Sequence, residues 1–166
     1  TNSGVNWSAT NANQSLDGNP VLAIAVAPQN SDTVYATTTP VNSSAKMFRT
    51  TNGGTSWTNI TGILPDRYLI DIAVDPNSSS VVYVTASGFG TSHVFKSTNA
   101  GDSWIDIGKG LPDVPTSAVA VNPLNSNHLY AGNDLGVYVS TNGGTAWSLF
   151  SDGLYDATLI MDLSIS

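Results

Sequence analysis

The chain has 166 residues, a hydrophobic fraction of 40% and a net charge of −7, long enough for one domain with its own core. Its five basic residues, Lys46, Arg49, Arg67, Lys96 and Lys109, are scattered. This argues against a nucleic-acid partner, because phosphate neutralisation needs clustered Lys and Arg. No apolar run approaches the ~20 residues of a membrane span, and the absence of Cys removes disulfides and thiol chemistry.

All twelve acidic residues are Asp. Glu, Lys and Arg are good helix formers and are scarce here, whereas Asn, Asp, Ser, Thr and Gly favour turns and caps and are abundant. An all-β fold with almost no helix is expected. In chain order, the end of a strand is expected at 7–10. Four strands follow at 21–27, 33–38, 46–51 and 56–61. A second set is expected at 69–75, 81–87, 93–98 and 103–107, and a third at 116–122, 128–132, 136–141 and 146–150. A last strand is expected at 158–166. These runs are rich in Val, Ile, Tyr and Thr, and Gly, Pro, Asn and Asp punctuate them. The first, Val21-Leu22-Ala23-Ile24-Ala25-Val26-Ala27, is almost wholly apolar or small, the pattern of a strand buried on both faces.

Three markers recur in phase. The first is an octet that ends in tryptophan. It is complete at Thr50–Trp57, Ser97–Trp104 and Ser140–Trp147, and cut at Thr1–Trp7. The tryptophans stand 50, 47 and 43 residues apart. The second is Pro-x-Asn-Ser-x-x-apolar-Tyr, beginning at Pro28, Pro76 and Pro123. The third is Leu64-Pro65-Asp66, Leu111-Pro112-Asp113 and a degenerate Leu154-Tyr155-Asp156. Four-stranded units repeating every ~40–50 residues describe a β-propeller. The Gly-His and Trp-Asp signatures of WD40 repeats are missing. Three whole blades are assigned to 21–61, 69–107 and 116–150. Residues 1–10 end a truncated blade, and 158–166 begin a further one. Propellers close with ~4–8 blades, so the remaining blades are expected from the same protein or from another copy.

Within the octet, Asn52-Gly53 and Asn142-Gly143 favour a tight turn, and Gly54, Gly101 and Gly144 fill a position expected to need positive φ. The tryptophan supplies a large apolar body between blades. At these residues the chain resembles the Asp-box, or BNR, repeat, Ser/Thr-x-Asp-x-Gly-x-x-Trp. Thr50, Asn52, Gly54 and Trp57 match it position by position, as do Ser97, Asn99, Gly101 and Trp104, and Ser140, Asn142, Gly144 and Trp147. Asn replaces Asp in each complete copy and keeps the acceptor oxygen. Propellers of this kind include sialidases, family 74 xyloglucanases, sortilin-type receptors and photosystem assembly factors. The order of markers is most similar to the xyloglucanase-like group and its secreted bacterial relatives. The resemblance implies that the box turn joins the third and outermost strands, on the face away from the active site. The octet residues are then structural.

Ligands would bind the other face, on the loops 61–68, 108–115, 151–157, 39–45, 88–92 and 133–135. These carry Asp66, Arg67, Tyr68, Phe89, Asp113, Asp134, Tyr155 and Asp156, where aromatics beside carboxylates suit sugar stacking and hydroxyl hydrogen bonding. Asp71 stands in an inner strand where the other blades carry Ala23 and Ala118, and Asp162 falls in the same register. An acid in a channel wall otherwise made of Ala would bind a cation, water or a ligand, or simply face water. Glycosidase chemistry needs two carboxylates ~5–9.5 Å apart, and no spacing selects a pair, so catalytic residues are not assigned. Sialidase activity would need an Arg cluster and Glu, which are missing. His93 and His128 lie at unlike positions, so neither a metal site nor a cofactor is expected.

Five N-x-Ser/Thr sequons, at Asn6, Asn13, Asn42, Asn59 and Asn77, are mostly chance matches in so Asn- and Ser-rich a chain, and it is the Thr/Ser/Asn-rich, Lys-poor surface that points to an extracellular protein. The expected function is a non-catalytic, secreted or cell-surface propeller segment that serves as scaffold or as carbohydrate- or protein-binding module. The alternatives are half of a xyloglucanase-like glycoside hydrolase with Asp as general acid and base, and a self-assembling surface protein.

Overall fold

A computed structural model describes residues 5–6, 16–155 and 157–165. Trp7, the strand expected at 7–10 and Asp156 lie outside the described residues. Three four-stranded antiparallel sheets follow one another, each with its strands in chain order. Blade one comprises β1 (Val21–Ala27), β2 (Asn30–Thr38), β3 (Met47–Thr50) and β4 (Thr58–Asn59). Blade two comprises β5 (Leu69–Val74), β6 (Val82–Ala86), β7 (Val94–Ser97) and β8 (Ile105–Asp106). Blade three comprises β9 (Thr116–Val121), β10 (Leu129–Asn133), β11 (Gly136–Ser140) and β12 (Ser148–Leu149). The first strands of the blades lie side by side. This is the blade-by-blade arrangement of a β-propeller.

The outer strands are two residues long, shorter than the sequence predicts. The octets claim the residues before them. The Thr50 hydroxyl accepts the N–H of Gly54 at 3.0 Å, and Asn52 Oδ1 accepts that of Ser56 at 2.9 Å. Ser97 and Asn99 do the same for Gly101 and Ser103, at 2.8 and 2.9 Å. Ser140 and Asn142 repeat it for Gly144 and Ala146, both at 2.9 Å. The expected positive φ is observed at Gly54 (88°), Gly101 (92°) and Gly144 (92°). Asn also does what Asp could not: its Nδ2 donates to the hydroxyls of Ser56 and Ser103.

Two apolar layers hold the blades together. One joins blades one and two through Tyr35, Met47, Ile60, Leu69, Val84 and Trp104. The other joins blades two and three through Tyr83, Val94, Ile107, Val119, Leu129 and Trp147. Apolar burial of this kind contributes about 25 cal/mol per Å².

Two expectations are corrected. The apolar first strand of blade one is not buried on both faces: Val21, Ile24 and Val26 are 54%, 66% and 53% exposed. No described residue packs on that side, whereas β9 is buried along its whole length. Residues 158–165 form no ladder, although a strand is expected there. Strands exist by pairing, and no described residue supplies the second strand of that blade. The segment still docks as an inner strand would, with the Ile160 N–H donating to Asn133 O at 3.1 Å.

Candidate functional site

The inner-strand wall is built around irregular ladders. In blade two the register shifts between Leu69 and Ile72, which frees the Asp71 N–H to donate to the Thr85 hydroxyl at 3.0 Å. The same device recurs in blade one, where the Ala23 N–H donates to Thr37 Oγ1 at 3.2 Å. The bulge turns the Asp71 carboxylate toward its own strand and the next blade. Oδ1 accepts the Ile72 N–H and Oδ2 the Val119 N–H of β9, both at 2.8 Å. Burial raises the Asp71 pKa, the N–H groups of Val119 and Ile72 oppose that rise, and the Asp162 charge adds to it. Asp162 shares the local geometry, its Oδ1 accepting the Leu163 N–H at 2.8 Å, but it is exposed. The structure thus brings the two acids predicted in one register within electrostatic reach. It gives Asp71 a stapling role between inner strands.

The loops carry a second set of clasps. Asp66 Oδ1 accepts the Ala45 N–H at 2.9 Å, which ties down the loop between β2 and β3. The equivalent acid of blade two, Asp113, accepts the Gly90 N–H on both oxygens at 2.8 and 2.9 Å. His93, buried immediately before β7, places Nε2 3.0 Å from Asp113 Oδ1 and Nδ1 3.2 Å from Ala86 O. Both ring nitrogens therefore face oxygen atoms of blade two and its following loop. The Asp113 pKa is lowered, chiefly by the Gly90 N–H; desolvation opposes this, and the His93 contact and the Thr91 N–H add to the lowering. Asp106 holds the same loop from the other side, accepting from Ser92 Oγ and, at 2.8 Å, from the Gly108 N–H.

The aromatic candidates point outward: Tyr68, Phe89 and Tyr155 are 48%, 64% and 92% exposed. Arg67 lies against Gly88, so the loop carrying Asp66, Arg67 and Tyr68 abuts the loop carrying Phe89. Tyr155 borders a cleft of about 360 Å³ with Leu135, Leu149, Asp152 and Leu154. Asp134 lies in the tight β10–β11 turn next to Leu135, where Asn133 Oδ1 accepts the Leu135 N–H at 2.9 Å. Asp156 lies outside the described residues. Sequence reasoning missed His93 and Asp106 as loop anchors. The signal for Asp113 was available: the Leu-Pro-Asp step keeps the phase of the octet, and a residue in phase with structural markers is first a structural residue.

Among the described residues no group of three or more His, Cys, Asp or Glu side chains could hold a metal ion. No described helix is long and apolar enough to cross a membrane.

No family model matches the chain, and no curated protein matches it. Solved structures do. An ancestral GH74 enzyme is 25% identical with a TM-score of 0.64, over 79% of this chain and 18% of its own. The GH74 xyloglucanase of Xanthomonas campestris is 18% identical with a TM-score of 0.66, over 82% of this chain and 24% of its own. YCF48 from Cyanidioschyzon merolae is 19% identical with a TM-score of 0.57, over 78% of this chain and 36% of its own. All of these are larger than this chain, which spans well under half the length of each. They establish the β-propeller fold and a likeness to GH74 and YCF48 propellers.

Proposed function

We propose that the chain is a non-catalytic segment of a larger propeller of the Asp-box type, acting outside the cell as a scaffold and as a carbohydrate- or protein-binding module. The observation that carries this reading is the employment of its acids. Asp66, Asp71 and Asp113 each accept backbone N–H groups that hold loops or strands, and a carboxylate so held is not free to turn toward a substrate. Beside them, Tyr68, Phe89 and Tyr155 stand exposed as flat surfaces on which a sugar ring or a peptide side chain can stack. The exposed side of β1 and the face of blade three are where further blades would pack. Those blades come from the same protein or from another copy, as burial of such large apolar faces requires.

A second reading draws on the likeness to the GH74 enzymes: the segment forms part of a glycoside hydrolase, with Asp134 or Asp152 beside the Tyr155 cleft as acid or base. Isothermal titration against a glycan panel, run beside a polysaccharide hydrolysis assay, separates the two. Binding that weakens in Tyr68→Ala and Phe89→Ala, without cleavage, supports the first. Cleavage abolished by Asp134→Asn or Asp152→Asn would establish the second, and binding of no glycan or peptide would leave only the scaffold.

A further inference from the structure

Blades one and two meet the following blade through one repeated set of contacts. The octet tryptophan of the following blade donates its indole N–H to the residue just beyond the outer strand: Trp104 to Ile60 O at 2.7 Å and Trp147 to Ile107 O at 2.6 Å. The octet glycine lies flat on the same side chain, so that a Cβ at Gly101 or Gly144 would overlap Ile60 or Ile107. Polar arms complete the contact. Gln29 Nε2 donates to Pro76 O and Asn77 Nδ2 to Pro123 O, each at 3.0 Å. Arg49 Nη1 reaches Ala100 O at 2.7 Å and Asp102 Oδ1 at 3.1 Å. Lys96, the counterpart of Arg49, extends beside Gly143 in the next octet.

Blade three keeps this frame and changes three residues in it. Leu124 stands where Gln29 and Asn77 stand, Val139 replaces Arg49 and Lys96, and Phe150 replaces Ile60 and Ile107. Leu124 is 95% and Phe150 56% exposed. The Phe150 ring rests edge-on to Tyr130 at 5.7 Å between centroids, on a groove of about 410 Å³ that Ala120, Val137, Leu163 and Ile165 also line. Residues 158–165 are already seated along this groove. Ile160 packs where a Cβ at Gly132 would lie, and Asp162 repeats the local geometry of Asp71.

Resting on the reading of the chain as part of a larger propeller, we propose that the outgoing face of blade three is the docking surface for the other strands of the blade whose inner strand is 158–165. That blade offers an octet turn, its tryptophan N–H on the Phe150 carbonyl. Two things single out this occupant. The face continues, position for position, an interface already made twice in this molecule. Its charge pattern is also distinct: Val139 cannot pair with an acid as Arg49 pairs with Asp102, so the covering turn is apolar or neutral at that position. Leu124 and Phe150 make the same demand, and the three together set which blade can follow blade three.

The test gives the full chain a covering blade. Residues 76–108, which contain strands two to four of blade two, are appended after Ser166, either unchanged, with Asp102→Val, or with Trp104→Phe. Fluorine NMR of fluorotryptophan reports the burial of the added indole, and amide exchange reports on Leu149 and Phe150. The expected result is a shifted, solvent-shielded resonance for the added tryptophan and slowed exchange at Phe150. Both effects should grow with Asp102→Val and shrink with Trp104→Phe in the appended copy. Unchanged exchange at Leu149 and Phe150 overturns the proposal. Protection at Val21–Val26 instead would also overturn it while leaving the larger-propeller reading intact. Protection at neither face, in a chain that light scattering shows to be a stable monomer, would sink both. Concentration-dependent protection of Phe150 in the unmodified chain would make a second copy the occupant and overturn the one proposed. Should the appended chains not fold, Phe150→Lys in the unmodified chain decides. Loss of hydrophobic-dye binding with stability retained supports an open docking face, and unchanged dye binding refutes it.

Discussion

Blades one and two carry the same markers in the same phase and differ in their surroundings. Ile24 and Ile72 occupy the same position of the inner strand, yet Ile24 is 66% exposed and Ile72 7%. Trp57 and Trp104 end the same octet, yet Trp57 is half-buried and Trp104 buried. Among the described residues, blade two has a blade on either side and blade one has blade two alone. In a repeat architecture stability is close to a sum of unit terms and nearest-neighbour interfaces, and here the interface term falls on the contact where an octet meets the sheet before it. An equivalent position in the repeat therefore does not mean equal energetic weight.

Matched substitutions in the two blades test this most severely. Trp104→Ala removes a buried indole and its hydrogen bond to Ile60 O, and should cost about 3–5 kcal/mol. Trp57→Ala should cost less than half of that. Ile72→Ala should cost about 2–4 kcal/mol and Ile24→Ala under about 1 kcal/mol, because only the first opens a cavity. Urea unfolding monitored by circular dichroism measures all four. Equal losses within either pair would show that blade one is covered as fully as blade two, and the comparison would fail.

Asp71 sharpens the contrast at a polar position. Its two oxygens accept two N–H groups, Ile72 and Val119, and Asn offers only one acceptor oxygen. Asp71→Asn should therefore cost about 1–3 kcal/mol by leaving a half-buried N–H without a partner. The exposed Asp162→Asn should stay within about 0.5 kcal/mol. If the two variants unfold at the same urea concentration, the staple between the inner strands contributes nothing.

Much of this was legible in the sequence, for a physical reason. Repetition averages out local ambiguity, and three markers in phase located the blades and the positive-φ glycines. The turn chemistry of Asn52, Asn99 and Asn142 is local, so it survives translation from sequence to structure. What was not legible depends on neighbours far along the chain. Nothing in Val21–Ala27 distinguishes a strand covered on both faces from one covered on a single face. Asp71 and Asp113 look like free acids until the structure shows that Val119 and Gly90 bring N–H groups to them. Phe150 reads as a strand residue until Ile60 and Ile107 show that its position is a contact between blades. The candidate site suffered most, because a loop acid that binds a ligand and one that binds its own backbone have the same spelling.

The smallest expected effect comes from the loop clasp, and its sign with pH makes it informative. The Asp113 pKa is lowered in the folded chain, chiefly by the Gly90 N–H. A carboxylate with a depressed pKa stabilises the fold above the unfolded value, and that contribution disappears as pH falls through the folded value. Asp71 acts oppositely. Burial raises its pKa, so the fold holds its proton more readily than the unfolded chain does, and this group favours folding more as pH falls. The two acids therefore pull the acid limb of the stability curve in opposite directions. Asp113→Asn should flatten the loss of thermal stability between neutral and acidic pH, and Asp71→Asn should steepen it. Asp113 is exposed, so raised salt should shrink its effect as screening does for surface charges, leaving that of Asp71 nearly unchanged. Melting temperatures of the parent and the two variants across the acid range, at low and high salt, decide the matter. An acid limb of unchanged slope in Asp113→Asn would mean that the His93–Asp113–Gly90 clasp does not stabilise the loop in solution, and blade two would then differ from blade one by its apolar cover alone.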